Sequence, residues 1–279
     1  MATPFRDDGA FDPAAAQRLA RHLIDNGSHG LVLAGSTGES PTLSDAEKLE
    51  LLRAVRDEVG GDVTVICGTG SNDTRGTVTL TEAAAEAGAD AALVVTPYYN
   101  KPNRAGLLAH YREVDRVGIP IVLYNIPSRV VINIDPDGLA ELGSLENVVA
   151  VKQANDDELG PIDGLDVLAG NDNVFRRVLE FDGPGGILVS SHIVGPQMRA
   201  MWDAASGGEL DRMREIDDGL QSVYAAMSLT NPIPVKTALE MLGICSAKMR
   251  LPMVPADDEQ REAVRNALAG AGLLEKASA

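Results

Sequence analysis

Short apolar, β-branched runs alternate along this chain with longer stretches in which apolar positions recur every three or four residues. The runs are Leu31-Val32-Leu33, Val63 to Ile66, Ala91 to Val95, Ile121 to Leu123, Val148 to Val151, Val167-Leu168 and Ile187 to Val189. Between them the spacing predicts helices over Pro13 to Asp25, Leu43 to Val59, Thr74 to Ala87, Arg104 to Val117, Asp135 to Leu142 and Val174 to Phe181. Strongly apolar strands separated by helices indicate a parallel sheet covered on both faces by crossover helices. Seven strands are countable, and Ala2-Thr3-Pro4 is read as the stub of an eighth. That pattern suits a (β/α)8 TIM barrel better than an open sheet. After Pro196 the strand-like runs stop, and helical spacing continues over Pro196 to Ala205, Leu210 to Leu229, Pro234 to Leu242 and Asp257 to Leu273. The first of these helices would complete the barrel. Residues 1–205 are therefore expected to form it, with a truncated first strand, and residues 206–279 a C-terminal helical extension.

Composition narrows the range of functions. A chain of 279 residues can bury one large core, and α/β barrels commonly exceed 200 residues as a single domain. The 28 Gly and 15 Pro are spread rather than clustered, which suits many short connections and gives no sign of a linker. A formal charge of −17 argues against nucleic acid and against anionic membrane surfaces as partners, since both need a basic face. Cys67 and Cys245 lie far apart with no CxxC spacing, so neither a disulfide framework nor a metal site is expected. No signal peptide and no apolar stretch of about 18 residues is found, and the expected location is the cytoplasm.

The candidate chemistry centres on Lys152, which closes the run Val148-Val149-Ala150-Val151 and is placed at the end of a buried strand. Lys48, Lys101, Lys236, Lys248 and Lys276 all fall in stretches of helix or loop character. Burial disfavours an ammonium and leaves a free amine able to attack a carbonyl and form a Schiff base. A lone strand-end lysine more often snorkels to solvent. The difference here is the set of residues expected at the same barrel rim, where active sites of this fold lie. They are Gly35-Ser36-Thr37-Gly38-Glu39-Ser40, Gly68-Thr69-Gly70, Thr96-Pro97-Tyr98-Tyr99-Asn100, Tyr124-Asn125-Ile126-Pro127-Ser128-Arg129, Gly170-Asn171-Asp172 and Ser190-Ser191-His192. The Gly-flanked Ser36-Thr37 turn offers backbone N–H groups and two hydroxyls to a carboxylate, or is simply a tight turn with an N-cap. Tyr124 is placed to relay protons, or is a packed rim residue. Arg129 offers a planar fork for a carboxylate, or is a solvated charge. Gly183-Pro184-Gly185-Gly186 is read as a tight turn entering the following strand.

Taken in order, the GSTGES, TPYYNKP and YNIPSR blocks ahead of a strand-end lysine resemble the dihydrodipicolinate synthase family, within the pyruvate-dependent Schiff-base aldolase superfamily. The resemblance runs from Thr3-Pro4-Phe5 through the Asn231-Pro232-Ile233-Pro234-Val235-Lys236 segment to Leu251-Pro252-Met253. It implies an imine between pyruvate and Lys152, its tautomerisation to an enamine, and attack on the aldehyde of aspartate semialdehyde. It further implies a proton relay of Tyr124, Ser36 and Tyr99, the last reaching into a neighbouring subunit, with Thr37 on the pyruvate carboxylate and Arg129 on that of the semialdehyde. Gly170 and Ile187 match main-chain contacts to the lysine and the bound substrate. Tyr98 would pack the subunit interface of a dimer of dimers, a homotetramer, with at least a dimer required for activity. No metal and no organic cofactor is called for, because the imine is itself the electron sink.

Several positions depart from the family pattern. Ser36 stands where threonine is usual, and serine there is common in the related N-acetylneuraminate lyases. Arg129 and Ala154 weigh against that lyase reading. Gln153 replaces a more usual acid and His192 a more usual asparagine, with no role assigned to either. Family members usually begin somewhat earlier, with a full first strand. Gly76 and Lys48 stand where lysine-inhibited members carry an acid and a histidine, which implies weak or absent lysine feedback; a steep inhibition curve at sub-millimolar lysine would contradict this. Two other functions stay open. One is a pyruvate aldolase acting on a 2-keto sugar acid, such as N-acetylneuraminate or 2-keto-3-deoxygluconate. The other is a non-catalytic barrel that binds a metabolite or a partner protein.

Overall fold

The computed structural model of the chain describes residues 1–274. In chain order its first elements are α1 (Pro13–Asp25), β1 (Gly30–Leu33), α2 (Asp45–Val59), β2 (Thr64–Gly68), α3 (Thr74–Glu86), β3 (Ala91–Val95) and α4 (Arg104–Asp115). There follow β4 (Ile121–Asn125), α5 (Pro127–Val130), α6 (Pro136–Gly143), β5 (Val148–Gln153), β6 (Asp166–Ala169), α7 (Phe175–Glu180) and β7 (Gly185–Gly186). The chain then runs through α8 (Ser191–Ser206), α9 (Leu210–Met227), α10 (Ile233–Met241) and α11 (Asp258–Gly270). Two compact units result, Thr64–Leu188 and the combination of Met1–Val63 with Val189–Ala279.

In the unit of residues 64–188, six strands pair in parallel with their sequence neighbours, in the order β2 to β7. The pairing register lines up Val94, Leu123, Val151 and Val167 in one row across β3 to β6. All four belong to an apolar cluster with Leu107 and Tyr111 of α4 and Leu139 and Leu142 of α6. β4 is buried at each of its positions, which explains why its sequence is a continuous apolar run rather than an alternating one. Side chains alternate between faces along a strand, so the next row points away from those helices. That row is Val95, Tyr124, Lys152 and Leu168. The helices start where their caps dictate: Asp73 accepts from Gly76 N, Asn103 from Gly106 N and Asp135 from Gly138 N.

The other unit holds β1 and the helices α1, α2 and α8 to α11. α1 begins on Pro13 with Asp12 as its cap, and α2 opens with a capping box between Ser44 and Glu47. α8 is kinked at Val194, two residues before Pro196, whose ring cannot accommodate the carbonyl four residues back. Gly195 allows the close approach of α8 to the end of α1, since a Cβ there would lie 2.4 Å from Asn26 O.

Three expectations are corrected, and one segment that the sequence left without an assigned form takes one. No strand forms over Ala2-Thr3-Pro4; the nearest pairing is an isolated antiparallel bridge between Phe5 and Phe11, and Pro4 has no N–H to give a ladder. The last strand consists of Gly185 and Gly186 themselves rather than Ile187 to Val189. Gly185 has φ +153°, a conformation that β-branched residues do not adopt, so the paired segment is the one without side chains. The Arg129 segment folds as the one-turn helix α5. Finally, α8 starts at Ser191, so His192 sits in a helix and not at a strand end. Lys276 lies outside the described residues.

Candidate active site

Tyr124 and Lys152 are partners in the register of β4 and β5, and both belong to the row that points away from α4 and α6. Lys152 is 9 % exposed and Tyr124 4 %. The Lys152 ammonium nitrogen lies 4.3 Å from the centre of the Tyr124 ring. Among the described residues Lys152 has no carboxylate within ion-pair distance. Its amine is thus sheltered by an aromatic face without a fixed counter-charge, and the Tyr124 backbone is held by Thr96, which donates to Tyr124 O from its N–H (3.2 Å) and its hydroxyl (3.1 Å).

Asn125 and Gln153, one residue further along each strand, point to the opposite face and form a buried amide network. Asn125 Nδ2 donates to Gln153 Oε1, Asn133 Oδ1 and Ile134 O, each at 3.0 Å, and Asn125 Oδ1 accepts from Ile134 N at 3.1 Å. Gln153 Oε1 also accepts from Asn155 N. These bonds anchor both ends of the segment that carries exposed Arg129 to the strand next to Lys152. Gln153 Nε2 is buried without a partner. An acid at this position would leave no such donor, and the sequence assigned the residue no role.

Gly170 sits against the same strand: its N–H donates to Gln153 O at 2.8 Å, and a Cβ there would lie 2.5 Å from that oxygen. Ile187 N donates to Ala169 O at 2.9 Å. Both are therefore built through main chain into the sheet beside β5. Tyr98 and Tyr99 project outward at 38 % and 88 % exposure, and Tyr99 holds φ +73°.

Ser36 and Thr37 belong to the other unit, on a turn after β1. Gly38 N and Ser40 N both donate to Gly35 O, and Glu39 N donates to Ser36 O. Thr37 Oγ1 accepts from Asn231 Nδ2 at 3.0 Å. His192 is buried in the same unit, with Nδ1 2.8 Å from Val189 O and Nε2 accepting from Ala2 N at 3.0 Å. Those two bonds select the neutral ring protonated at Nδ1, and burial pushes its pKa down to about 3.

Lys236 lies in a helix as expected, but its burial was not read from the sequence. Lys236, assigned to a helix or loop stretch, is fully buried, with its Nζ donating to Glu39 Oε1 (2.7 Å), Thr3 O (3.0 Å) and Lys248 O. Its surroundings are opposite to those of Lys152, for a carboxylate and two carbonyls hold the ammonium in place. Lys236 is thus a structural cation, and the pattern that could have revealed it is the apolar run around it, Ile233 to Leu239.

No group of three or more His, Cys, Asp or Glu among the described residues is placed to hold a metal. No helix among them is long and apolar enough to cross a membrane.

Relatives cover the chain almost end to end. The 4-hydroxy-tetrahydrodipicolinate synthase of Parasynechococcus marenigrum is 44 % identical over 96 % of this chain and 92 % of its own. The crystal structure of the Acinetobacter baumannii dihydrodipicolinate synthase, described as chloride-inhibited and complexed with pyruvate, superposes with a TM-score of 0.94 at 32 % identity, covering 98 % of this chain and 97 % of that one. A lysine-bound structure of the enzyme from Cyanidioschyzon merolae gives 0.93 at 34 %, covering 98 % and 97 %. The fold class is accordingly the (β/α)8 barrel expected from the strand and helix pattern. The Dihydrodipicolinate synthetase family profile matches residues 1–271, and the chain belongs to that family.

Proposed function

We propose that this protein is a Schiff-base lyase that condenses pyruvate with L-aspartate 4-semialdehyde to 4-hydroxy-tetrahydrodipicolinate, in the biosynthesis of diaminopimelate and lysine. The observation that carries the reading is the contrast between the two buried lysines: each lies over an aromatic ring, but only Lys152 lacks an ion-pair partner among the described residues. Lys152 Nζ attacks the pyruvate carbonyl. Loss of water from the carbinolamine gives the imine, and loss of a methyl proton gives the enamine. The enamine carbon then attacks the semialdehyde aldehyde, and attack by the semialdehyde amine closes the ring and frees Lys152. Tyr124, Ser36 and Tyr99 relay the protons of these steps, Thr37 binds the pyruvate carboxylate and Arg129 that of the semialdehyde. Gly170 and Ile187 hold the rim beside Lys152 through main chain.

Tyr99, 88 % exposed, is free to reach into a neighbouring subunit, and Tyr98, 38 % exposed, would pack that interface. The assembly proposed is a homotetramer built as a dimer of dimers, in the cytoplasm, with residues 1–205 as barrel and 206–279 as helical extension. The test is borohydride reduction in the presence of pyruvate, with mass mapping of the adduct, beside turnover of semialdehyde against a 2-keto sugar acid. Pyruvate is expected to add to Lys152 in the wild type and not in Lys152→Arg, which keeps the charge and loses the deprotonable amine. Faster turnover of the sugar acid would replace this substrate assignment, and no adduct at Lys152 would exclude the mechanism.

A further inference from the structure

Glu39 closes the turn that presents Ser36 and Thr37, and it does so in a conformation that resists a side chain. Its φ is +55°, in the left-handed region, where a residue other than glycine is strained and persists only when its surroundings fix it. Here its carboxylate is held by two donors, one on each oxygen. Lys236 Nζ donates to Oε1 at 2.7 Å, Arg250 N donates to Oε2 at 3.1 Å, and the pair is sealed from water, with side-chain exposures of 0 % for Lys236 and 2 % for Glu39. The Phe5 ring closes the site, 4.6 Å from Lys236 Nζ and 4.5 Å from the Arg250 guanidinium carbon. Arg250 is itself clamped by Glu47, Gly9 O and Thr42 O.

A buried ion pair of this kind adds little stability over apolar groups of the same shape, because desolvation offsets the attraction. Its specific effect is geometric: it holds Glu39, and with it the hydrogen bond from Glu39 N to Ser36 O that closes the turn. Asn231 acts on the hydroxyl itself. A hydroxyl has one proton and two lone pairs, and Asn231 Nδ2 occupies a lone pair of Thr37 Oγ1 at 3.0 Å. The Thr37 proton is thereby left to donate elsewhere, to an incoming carboxylate oxygen.

We propose that Asn231 and Lys236, both C-terminal to the predicted barrel, are positioning residues for pyruvate, orienting the Thr37 hydroxyl and the Ser36-Thr37 turn toward its carboxylate. This rests on the reading of Thr37 as a carboxylate ligand. The two residues touch no reacting atom; they act through the turn.

The experiment measures steady-state kinetics and borohydride trapping for the wild type, Asn231→Ala, and the double variant Glu39→Gln with Lys236→Met. The double variant is used because Lys236→Met alone would strand a buried carboxylate. Losing one hydrogen bond to a charged group corresponds to roughly tenfold to a hundredfold in binding. The expected result is a rise of that order in the pyruvate KM of each variant with kcat changed much less. Saturating pyruvate should still trap Lys152 in full. A merely structural role would instead lower melting temperature and trapped fraction together and leave KM in place. Wild-type pyruvate KM in folded Asn231→Ala and in the double variant would overturn the inference. Should both variants fail to fold, a wild-type crystal with pyruvate decides: Thr37 Oγ1 bonded to both Asn231 Nδ2 and the carboxylate supports the inference, and Thr37 turned away from either overturns it. If the wild type itself shows no adduct at Lys152, it is the functional reading that fails.

Discussion

Asn125 shows how one side chain can tie the Arg129 segment to the strand that carries Lys152. It is fully buried, and its amide meets the backbone of Ile134, the side chain of Asn133 and Gln153 Oε1. Asn125→Leu would keep the volume and leave Ile134 N–H buried without that acceptor, at a cost of about 1–3 kcal/mol. Urea denaturation is expected to show the loss, and the KM for the second substrate is expected to rise more than that for pyruvate, because the Arg129 segment is what the amide holds. An unchanged unfolding midpoint would mean that water replaces the bonds. The strand-end position of Lys152 was legible from an apolar run followed by a charge. The isolation of Lys236 from water was not, because a helix stretch gives no sign of which carboxylate will meet it from almost two hundred residues away.

At the scale of elements, boundaries set by local chemistry were readable and those set by strain were not. α1 occupies the expected Pro13–Asp25, since Asp12 and Pro13 specify a start by themselves. α5 went unread because it is a single turn, and its C-cap is Val131, a β-branched residue at φ +71° with 68 % of its surface exposed. Left-handed backbone disfavours such a residue by about 1–2 kcal/mol, whereas glycine adopts it freely at some entropic cost. Val131→Gly is therefore expected to stabilise the fold by about 0.5–1 kcal/mol. A shift of the denaturation midpoint to higher urea would show it, and a shift to lower urea would mean that Val131 is held by contacts outweighing its strain. The same reasoning explains β7, where the glycine pair and not the apolar triplet makes the ladder.

For the molecule as a whole, two buried imidazoles couple stability to pH. Burial holds His192 down to about 3 and His110 down to about 4, while in the unfolded chain each titrates near 6.5. Between those values the unfolded chain binds more protons than the folded one, so stability rises with pH across that window and is lost as pH falls below about 6.5. His192→Asn removes one of the two groups. Its melting temperature is expected to fall less than that of the wild type between pH 6.5 and pH 4.5, with carboxylate effects common to both proteins. Parallel melting curves against pH would show that His192 does not carry the difference.

The alternation of strands and helices, the barrel class and the placing of Lys152 at the end of a buried strand follow from the sequence alone, because periodicity, caps and a lysine closing an apolar run are local properties. Tertiary structure alone decided which side chains share a face or a hydrogen bond: the register that pairs Tyr124 with Lys152, the amide tie of Asn125 to Gln153, and the Lys236 ammonium against Glu39. Those pairings depend on strand register and on contacts between residues distant in the chain, where one residue of slip reverses which face a side chain points to.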